Sequence, residues 1–565
     1  MSSPMGIPTL GRSNSKLAKS PASSLVSSFP ARGGFFRTHS QPEDQQAFLR
    51  SYSSNRRSQD FGQGVQEPLL QTSWSQKDDA ERALQLGGAE ALRVPEKLTV
   101  WQELVRQCWL AGPMVAVNLL QYSITVVSVA FVGHLGELEL ASASIASSLA
   151  GVLGYYVLLG MGSALETLCG QAYGAGSMHH HMLGVFLQRA LVVLYGACIP
   201  ISFLFIYMEH ILLLLGQDPD ISMKAGEYAL CLLPSLYAYA LLQPVVKFLQ
   251  TQSVVFPMMI CSAVTLCLHV GILHTLIYTL GLGYRGAALG TSVSFWINAI
   301  LLVSYVKFSG VCKHTWKGFT KDAFVDLREF LSLAIPSCIM ICLEYWCFEI
   351  LVILAGLLPN PQLELATLSV CLSTTSLNYM IPFGLSAAAS TRVSNELGAG
   401  DAPAAKQAVV SVVSLSAVQA LLISSILLSL RHKWGWLFSG DAEVVDMVAQ
   451  IMPFLAFIAL LDGIQGVLSG VARGCGWQEL GAIVNLGAFY GVGVPISVIL
   501  AFVFNFGGRG LFIGLICGLG TQTLILLYVT FRTDWEKQVL KATARVLHNE
   551  EDMLDKVFFD FVVYS

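Results

Sequence analysis

GMGSALETLCGQAYGAG, residues 160–176, returns as GLSAAASTRVSNELGAG at residues 384–400, an offset of 224 that keeps the leading glycine and the closing Gly-Ala-Gly in register. Three more landmarks repeat at offsets of 223 to 225: ELELASAS at 137–144 with QLELATLS at 362–369, LAGP at 110–113 with LAIP at 333–336, and YRGAALG at 284–290 with GRGLFIG at 508–514. Four pairs in one register mean that the chain holds two copies of one unit. Whatever the unit is, both halves contain the same elements in the same order.

Composition says what the elements are. Of 565 residues, 54% are hydrophobic and only 12% charged, about half the charged share of an ordinary soluble domain, and the mean hydropathy is +0.61. Apolar segments recur near 107–132, 141–170, 182–207, 226–249, 254–278 and 286–308 in the first half. They recur near 329–356, 364–391, 405–430, 445–470, 479–503 and 510–532 in the second. Each is long enough for the ~20 residues that cross a bilayer core as a helix. Six spans per copy is an even number, so both copies insert with the same topology, and parallel repeats about an axis along the membrane normal are a transporter architecture.

The fold expected is therefore an all-α membrane protein with twelve transmembrane helices in two six-helix lobes. The N-lobe takes residues 101–308, a basic linker loop 309–328, and the C-lobe 329–532. Residues 1–100, rich in Ser, Gln, Arg and Gly without a long apolar run, read as a disordered tail, and the charged residues 533–565 as a second tail. Lys307, Lys313, Lys317, Lys321 and Arg328 cluster in the linker, with Arg392, Lys406 and Arg473 on the same side, which puts that face and both tails in the cytosol.

Several functions drop out. Basic residues are scattered around a net charge of -4, which leaves no nucleic-acid face. The thirteen cysteines are odd in number, lack CxxC spacing and sit mostly in apolar runs, so neither disulfides nor zinc are indicated. His179, His180 and His181 are adjacent in a short loop and cannot all turn toward one ion. The glycines of the repeated motif follow no strand and precede no Lys, so they serve helix packing and not phosphate binding. No cofactor and no metal is expected.

Carboxylates inside the spans stand out against that background. CLEYWCFE, residues 342–349, sets Glu344 and Glu349 in an apolar run. An ionised side chain at mid-bilayer costs roughly 2.5–3.5 kcal/mol even on insertion scales, so such a residue faces a partner or a wet cavity. Glu344 lies sixteen residues from Arg328 and from Asn360, about 24 Å along a helix from each and hence near the midplane. Asp462 is the acid at the middle of the tenth span, among Pro453, Gly463, Gly466 and Gly470. Glu349 is five residues past Glu344, about 140° around the helix, and is expected on another face, one turn outward, as a secondary acid.

ALETLCGQAYGAG at 164–176, STRVSNELGAG at 390–400, CLEYWCFE at 342–349 and LDGIQGVLSGVARGCGWQ at 461–478 together resemble the multidrug and toxic compound extrusion (MATE) family, and its plant members most. The resemblance covers residues 103–533. It implies two six-helix lobes around a central cavity, and export of organic solutes in exchange for H+ or Na+, with proton exchange usual among the plant members. The family's cation-coupling acids of the seventh and tenth helices fall on Glu344 and Asp462. The first span carries Asn118, Gln121 and Tyr122 where many bacterial relatives have an aspartate, so coupling is expected in the C-lobe and a hydrogen-bonding or aromatic substrate wall in the N-lobe.

Asn378 and Tyr379, ahead of Pro382 in the eighth span, are further cavity candidates because proline bends a helix and frees a carbonyl. Glu166 lies in a motif resembling the family's inner gate, and Arg392, Asn395, Glu396 and Arg473 beside the same loops are expected to hold that gate closed. The expected function is a secondary antiporter, not an enzyme. It would exchange small organic solutes, cationic or aromatic, for protons across the lipid bilayer as a monomer, in the plasma or vacuolar membrane. Coupling to Na+, another six-plus-six carrier, or a channel or receptor are the alternatives, and basic, serine-rich residues 1–42 leave an organelle address open.

Overall fold

The chain runs back and forth in long helices whose ends fall within about seven residues of the expected spans. The structure, a computed structural model, describes residues 99–564 apart from 360 and 439; the reading of the N-terminal tail lies outside the described residues. The first half is α1 Val100–Gly133, α2 Glu137–Gly174, α3 Ser177–Ile206, α4 Pro219–Thr251, α5 Phe256–Thr279 and α6 Gly283–Phe308. The second is α7 Leu327–Ala355, α8 Pro361–Gly398, α9 Ala402–Leu437, α10 Ala442–Cys475, α11 Gln478–Val503 and α12 Gly508–Arg532. A further helix, α13 Trp535–Tyr564, follows.

Local chemistry sets the ends. Thr99 and Gln102 form a reciprocal capping box at the start of α1, and the carboxylates of Asp218, Asp401 and Asp441 accept backbone N–H bonds at the starts of α4, α9 and α10. Gly476, at φ +81°, ends α10 in the left-handed conformation that glycine adopts without strain. Among the described residues, eleven helices are long and apolar enough to cross a membrane by length and composition, and α8 is not one of them. Its middle, STTSLNY at 373–379, is polar because part of this helix faces a cavity and not lipid.

The duplication is visible as pairs of equivalent contacts. Gly160 of α2 packs on the backbone of α7 at Cys338, and its repeat mate Gly384 of α8 packs on α1, where a Cβ would lie 2.7 Å from the Val115 nitrogen. The closing ends of the two motifs lie against each other in the same way: Gly174 abuts the Asn395 backbone and Gly398 abuts the Gln171 backbone. Within each lobe the sixth helix closes on the fifth through matched glycines, Gly286 at Leu276 and Gly510 at Ala501. Lipid tails supply no hydrophobic drive between helices, so close backbone approach at small residues holds the lobes together.

Both lobes meet at the end that carries the α6–α7 connection, the linker face. Gln188 of α3 holds this connection, donating to the Gly318 carbonyl at 2.8 Å and accepting from the Thr320 N–H at 2.8 Å. The C-terminal segment, read as a charged tail, is a helix. Trp535, Ala542 and Val546 of α13 are buried in the main core, Gln538 accepts from the Trp477 indole at 3.1 Å, and Arg545 donates to the Gln171 side chain at 2.6 Å.

Candidate functional site: a cavity between the lobes

A cavity of about 440 Å³ lies between the lobes, lined by α1, α2, α4, α6, α7, α8 and α10. That is the size of an ordinary small-molecule site. A wide turn at Gly151–Tyr155 breaks the regular winding of α2 and brings Tyr155 and Tyr156 to the cavity wall. Tyr239 and Phe295 pack around Tyr155 at ring-centroid distances of 5.2 and 6.2 Å. Across the gap, Tyr345 of α7 stacks on Tyr156 at 3.9 Å, nearly parallel. The N-lobe wall thus offers aromatic faces, and between them Asn118 and Gln121 of α1, whose amide nitrogens are buried without a hydrogen-bond partner.

Three acids reach this cavity. Glu344 is 7% exposed and Asp462 2%. The Glu344 carboxylate accepts from the Tyr379 hydroxyl at 3.3 Å and from the Gln465 amide at 3.2 Å, whereas Oδ2 of Asp462 is buried with no partner. Among the described residues neither acid has a salt bridge. Glu349 also lines the cavity, where it accepts from Ser148 of the N-lobe at 2.9 Å. Its 140° offset sets it on another side of α7 from Glu344, and from there it still reaches the same cavity. The cavity wraps around α7 widely enough for both acids to reach it, at different depths.

Of the other cavity candidates, Asn118, Gln121, Tyr122 and Tyr379 line the wall. Asn378 does not: it faces a small space inside the C-lobe with Thr374, Leu455 and Ile458. One residue along a helix is a turn of about 100°, and Tyr379 takes the direction of the cavity.

Toward the linker face the cavity ends on a layer of buried ion pairs. Glu166 of α2 binds Lys247 of α4 at 2.5 Å and Arg473 of α10 at 2.9 Å, so one carboxylate joins two cations from opposite lobes. Arg392 of α8 grips Glu103 of α1 with two bonds of 3.0 Å each, and pairs with Glu396 at 2.5 Å. Asn395 donates to the Thr251 carbonyl at 3.2 Å, and Gln250 to the Ala387 carbonyl at 3.1 Å. Glu166, Arg392, Asn395 and Arg473 all bond across the lobes, whereas Glu396 pairs within its own helix.

Sequence reading passed over Lys247, Glu103, Gln465 and the particular tyrosines that make the expected N-lobe wall aromatic. A lysine in PVVKFLQ, inside an apolar span, carried the same signal as Glu344. The tyrosines carried none, since aromatic residues fill lipid-facing and cavity-facing positions alike.

The comparisons with known proteins agree with this geometry. The MatE family model matches residues 113–274 and again 336–499, once per lobe. The chain is 51% identical over 470 residues to Protein DETOXIFICATION 16 of Arabidopsis thaliana, covering 83% of this chain and 96% of that one. It is 50% identical to Protein DETOXIFICATION 17 of the same plant, covering 81% and 97%. A crystal structure of the eukaryotic MATE transporter AtDTX14 superposes with a TM-score of 0.77 at 44% identity, covering 79% of this chain and 99% of that one.

Proposed function

The chain belongs to the MatE family of multidrug and toxic compound extrusion transporters, and from that premise we propose that it exports aromatic organic solutes, cationic or neutral, in exchange for protons. Its relatives are transporters and not enzymes, and it is a multi-pass membrane protein that moves small organic solutes. The exchanging groups are Glu344 and Asp462, and the substrate lies against Tyr155, Tyr156, Tyr239 and Tyr345 with its oxygens on the amides of Asn118 and Gln121. Glu349 is a secondary acid nearer the mouth.

The observation that carries this reading is the pair of buried carboxyls on one cavity wall, outside any ion pair among the described residues. A carboxyl without a fixed cation can hold a proton or a ligand in turn. When protonated from the acidic side, the neutral acids release substrate; deprotonated toward the cytosol, they accept it again. A sodium site would need several oxygens converging on one point, as hard cations do. What converges on Glu344 is the amides of Gln465 and Gln522 and a phenol O–H, which favours the proton.

The layer of Glu103, Glu166, Lys247, Arg392 and Arg473 serves as the inner gate, with the linker face in the cytosol and the cavity opening outward. One chain supplies the whole cavity, in keeping with a monomer, and the plasma and vacuolar membranes both provide the acidic outer side required. The test is uptake of ethidium, a fluorescent aromatic cation, into proteoliposomes under an imposed pH gradient or an imposed sodium gradient. The proposal predicts that the pH gradient alone drives uptake; uptake that follows only the sodium gradient would replace the proton with Na+.

A further inference from the structure

Gln465, Ser469 and Arg473 stand one turn apart on a single stripe of α10, and they are 0%, 3% and 4% exposed. One end of the stripe touches the exchange site and the other touches the gate. The Gln465 amide nitrogen donates both to Glu344 Oε2 at 3.2 Å and to Ser469 Oγ at 3.1 Å, which uses both of its hydrogens. Its oxygen, Oε1, is buried and has no hydrogen-bond partner. A buried acceptor left unmade is costly, so this oxygen is held in wait for a donor. Two turns on, Arg473 donates to Glu166 at 2.9 Å and to Ser386 at 2.7 Å. Between α10 and α8 the packing is smooth: Gly466 lies on Pro382, Gly470 on Ser386 and Gly474 on Ser390. No side chain of these three positions locks one helix against the other.

We propose that Gln465 is the positioning residue that reads the protonation of Glu344 and passes it along α10 to the Arg473–Glu166 gate. The inference rests on the proton exchange proposed above. As a carboxylate, Glu344 only accepts, and Gln465 presents its N–H. With a proton on Oε2, Glu344 gains an O–H that needs an acceptor, and the idle Gln465 oxygen meets it when the amide turns over. The turn withdraws the N–H from Ser469, whose hydroxyl changes from acceptor to donor one turn from Arg473. After the turn the Gln465 oxygen takes the places its N–H groups held against Glu344 and Ser469, and the NH2 moves to where the oxygen lay. The titratable groups facing Glu344 are Tyr379 from α8, Asp462 and Arg473 from α10, and Tyr345, Cys347 and Glu349 on α7 itself, with Tyr156 of α2 behind Tyr345. Of these, Tyr379 alone is hydrogen-bonded to Glu344 in the structure.

The experiment compares the full chain with Gln465→Leu and Ser469→Ala in proteoliposomes, with ethidium as the probe. Gln465→Leu is expected to retain pH-dependent ethidium binding while uptake driven by a pH gradient falls about tenfold or more. Ser469→Ala is expected to keep binding and lose about threefold in uptake. A residue that merely packs would weaken binding and uptake together or neither. Uptake within about twofold of the unaltered protein in both variants overturns the proposal, as does loss of pH-dependent binding in Gln465→Leu, which would make the glutamine part of the proton site itself. Should Gln465→Leu not fold, the Ser469→Ala result decides alone, and unchanged uptake there overturns it. If the unaltered protein ignores the pH gradient, the proton reading falls first, and that arm shows it.

Discussion

Glu166 and Glu344 are both buried glutamates, yet their surroundings assign them opposite work. Glu166 is fixed by two cations, and removing one member of a buried ion pair costs about 3–5 kcal/mol because the other charge is left unpaired. Glu166→Gln is therefore expected to lower the melting temperature while ethidium binding keeps its pH dependence. Asp462 has a bare oxygen and, among the described residues, no paired cation, so Asp462→Asn is expected to leave the fold intact and to cut proton-driven uptake about tenfold or more, measured in the same liposomes. Both acids of the proposed exchange site stood out in the sequence, because a charge in an apolar run has few bland explanations. Asn378 was not placed correctly, because a polar but uncharged residue tolerates a hundred-degree error in helix phase. Lys247 was legible by the same rule as Glu344, and its role depends on α2 and α10 meeting at Glu166, which no local pattern encodes.

Helices are where sequence and structure agree most closely, since a bilayer imposes span length and a duplication checks it twice. The exceptions have physical causes. α8 carries its polar stretch because it walls the cavity, and α13 escaped notice because its charges hid Trp535, Val539, Ala542 and Val546, apolar at steps of four, three and four residues. Packing between elements makes a sharper claim. Gly384 touches the α1 backbone at Val115, whereas Gly271 of α5 has open space around it. Gly384→Ala is expected to destabilise by about 1–3 kcal/mol through overpacking. Gly271→Ala should be neutral or slightly stabilising, by up to ~1 kcal/mol of helix propensity. Thermal unfolding in detergent compares them, and equal melting points would show that the interlobe approach is looser than the structure has it.

At the scale of the molecule, the closed linker face is the repeat folded onto itself: equivalent glycines, then Glu103–Arg392 and Glu166–Arg473 as ties between lobes. Glu103→Gln weakens one tie, and spin labels placed at the exposed Ser177 and Lys406 are expected to report a longer separation, with no change if the gate rests on packing alone. Cavity and gate are built from Glu103 onward. A chain lacking residues 1–95 is therefore expected to take up ethidium within about twofold of the full chain.

The central claim is that Glu344 carries the proton. Its most direct test is ethidium binding and pH-gradient-driven uptake by the unaltered protein and by Glu344→Gln, across roughly pH 5 to 8. The neutral amide imitates only the protonated acid. The account predicts binding that strengthens with rising pH in the unaltered protein, and weak, pH-independent binding without driven uptake in Glu344→Gln. Driven uptake that persists in Glu344→Gln would contradict it.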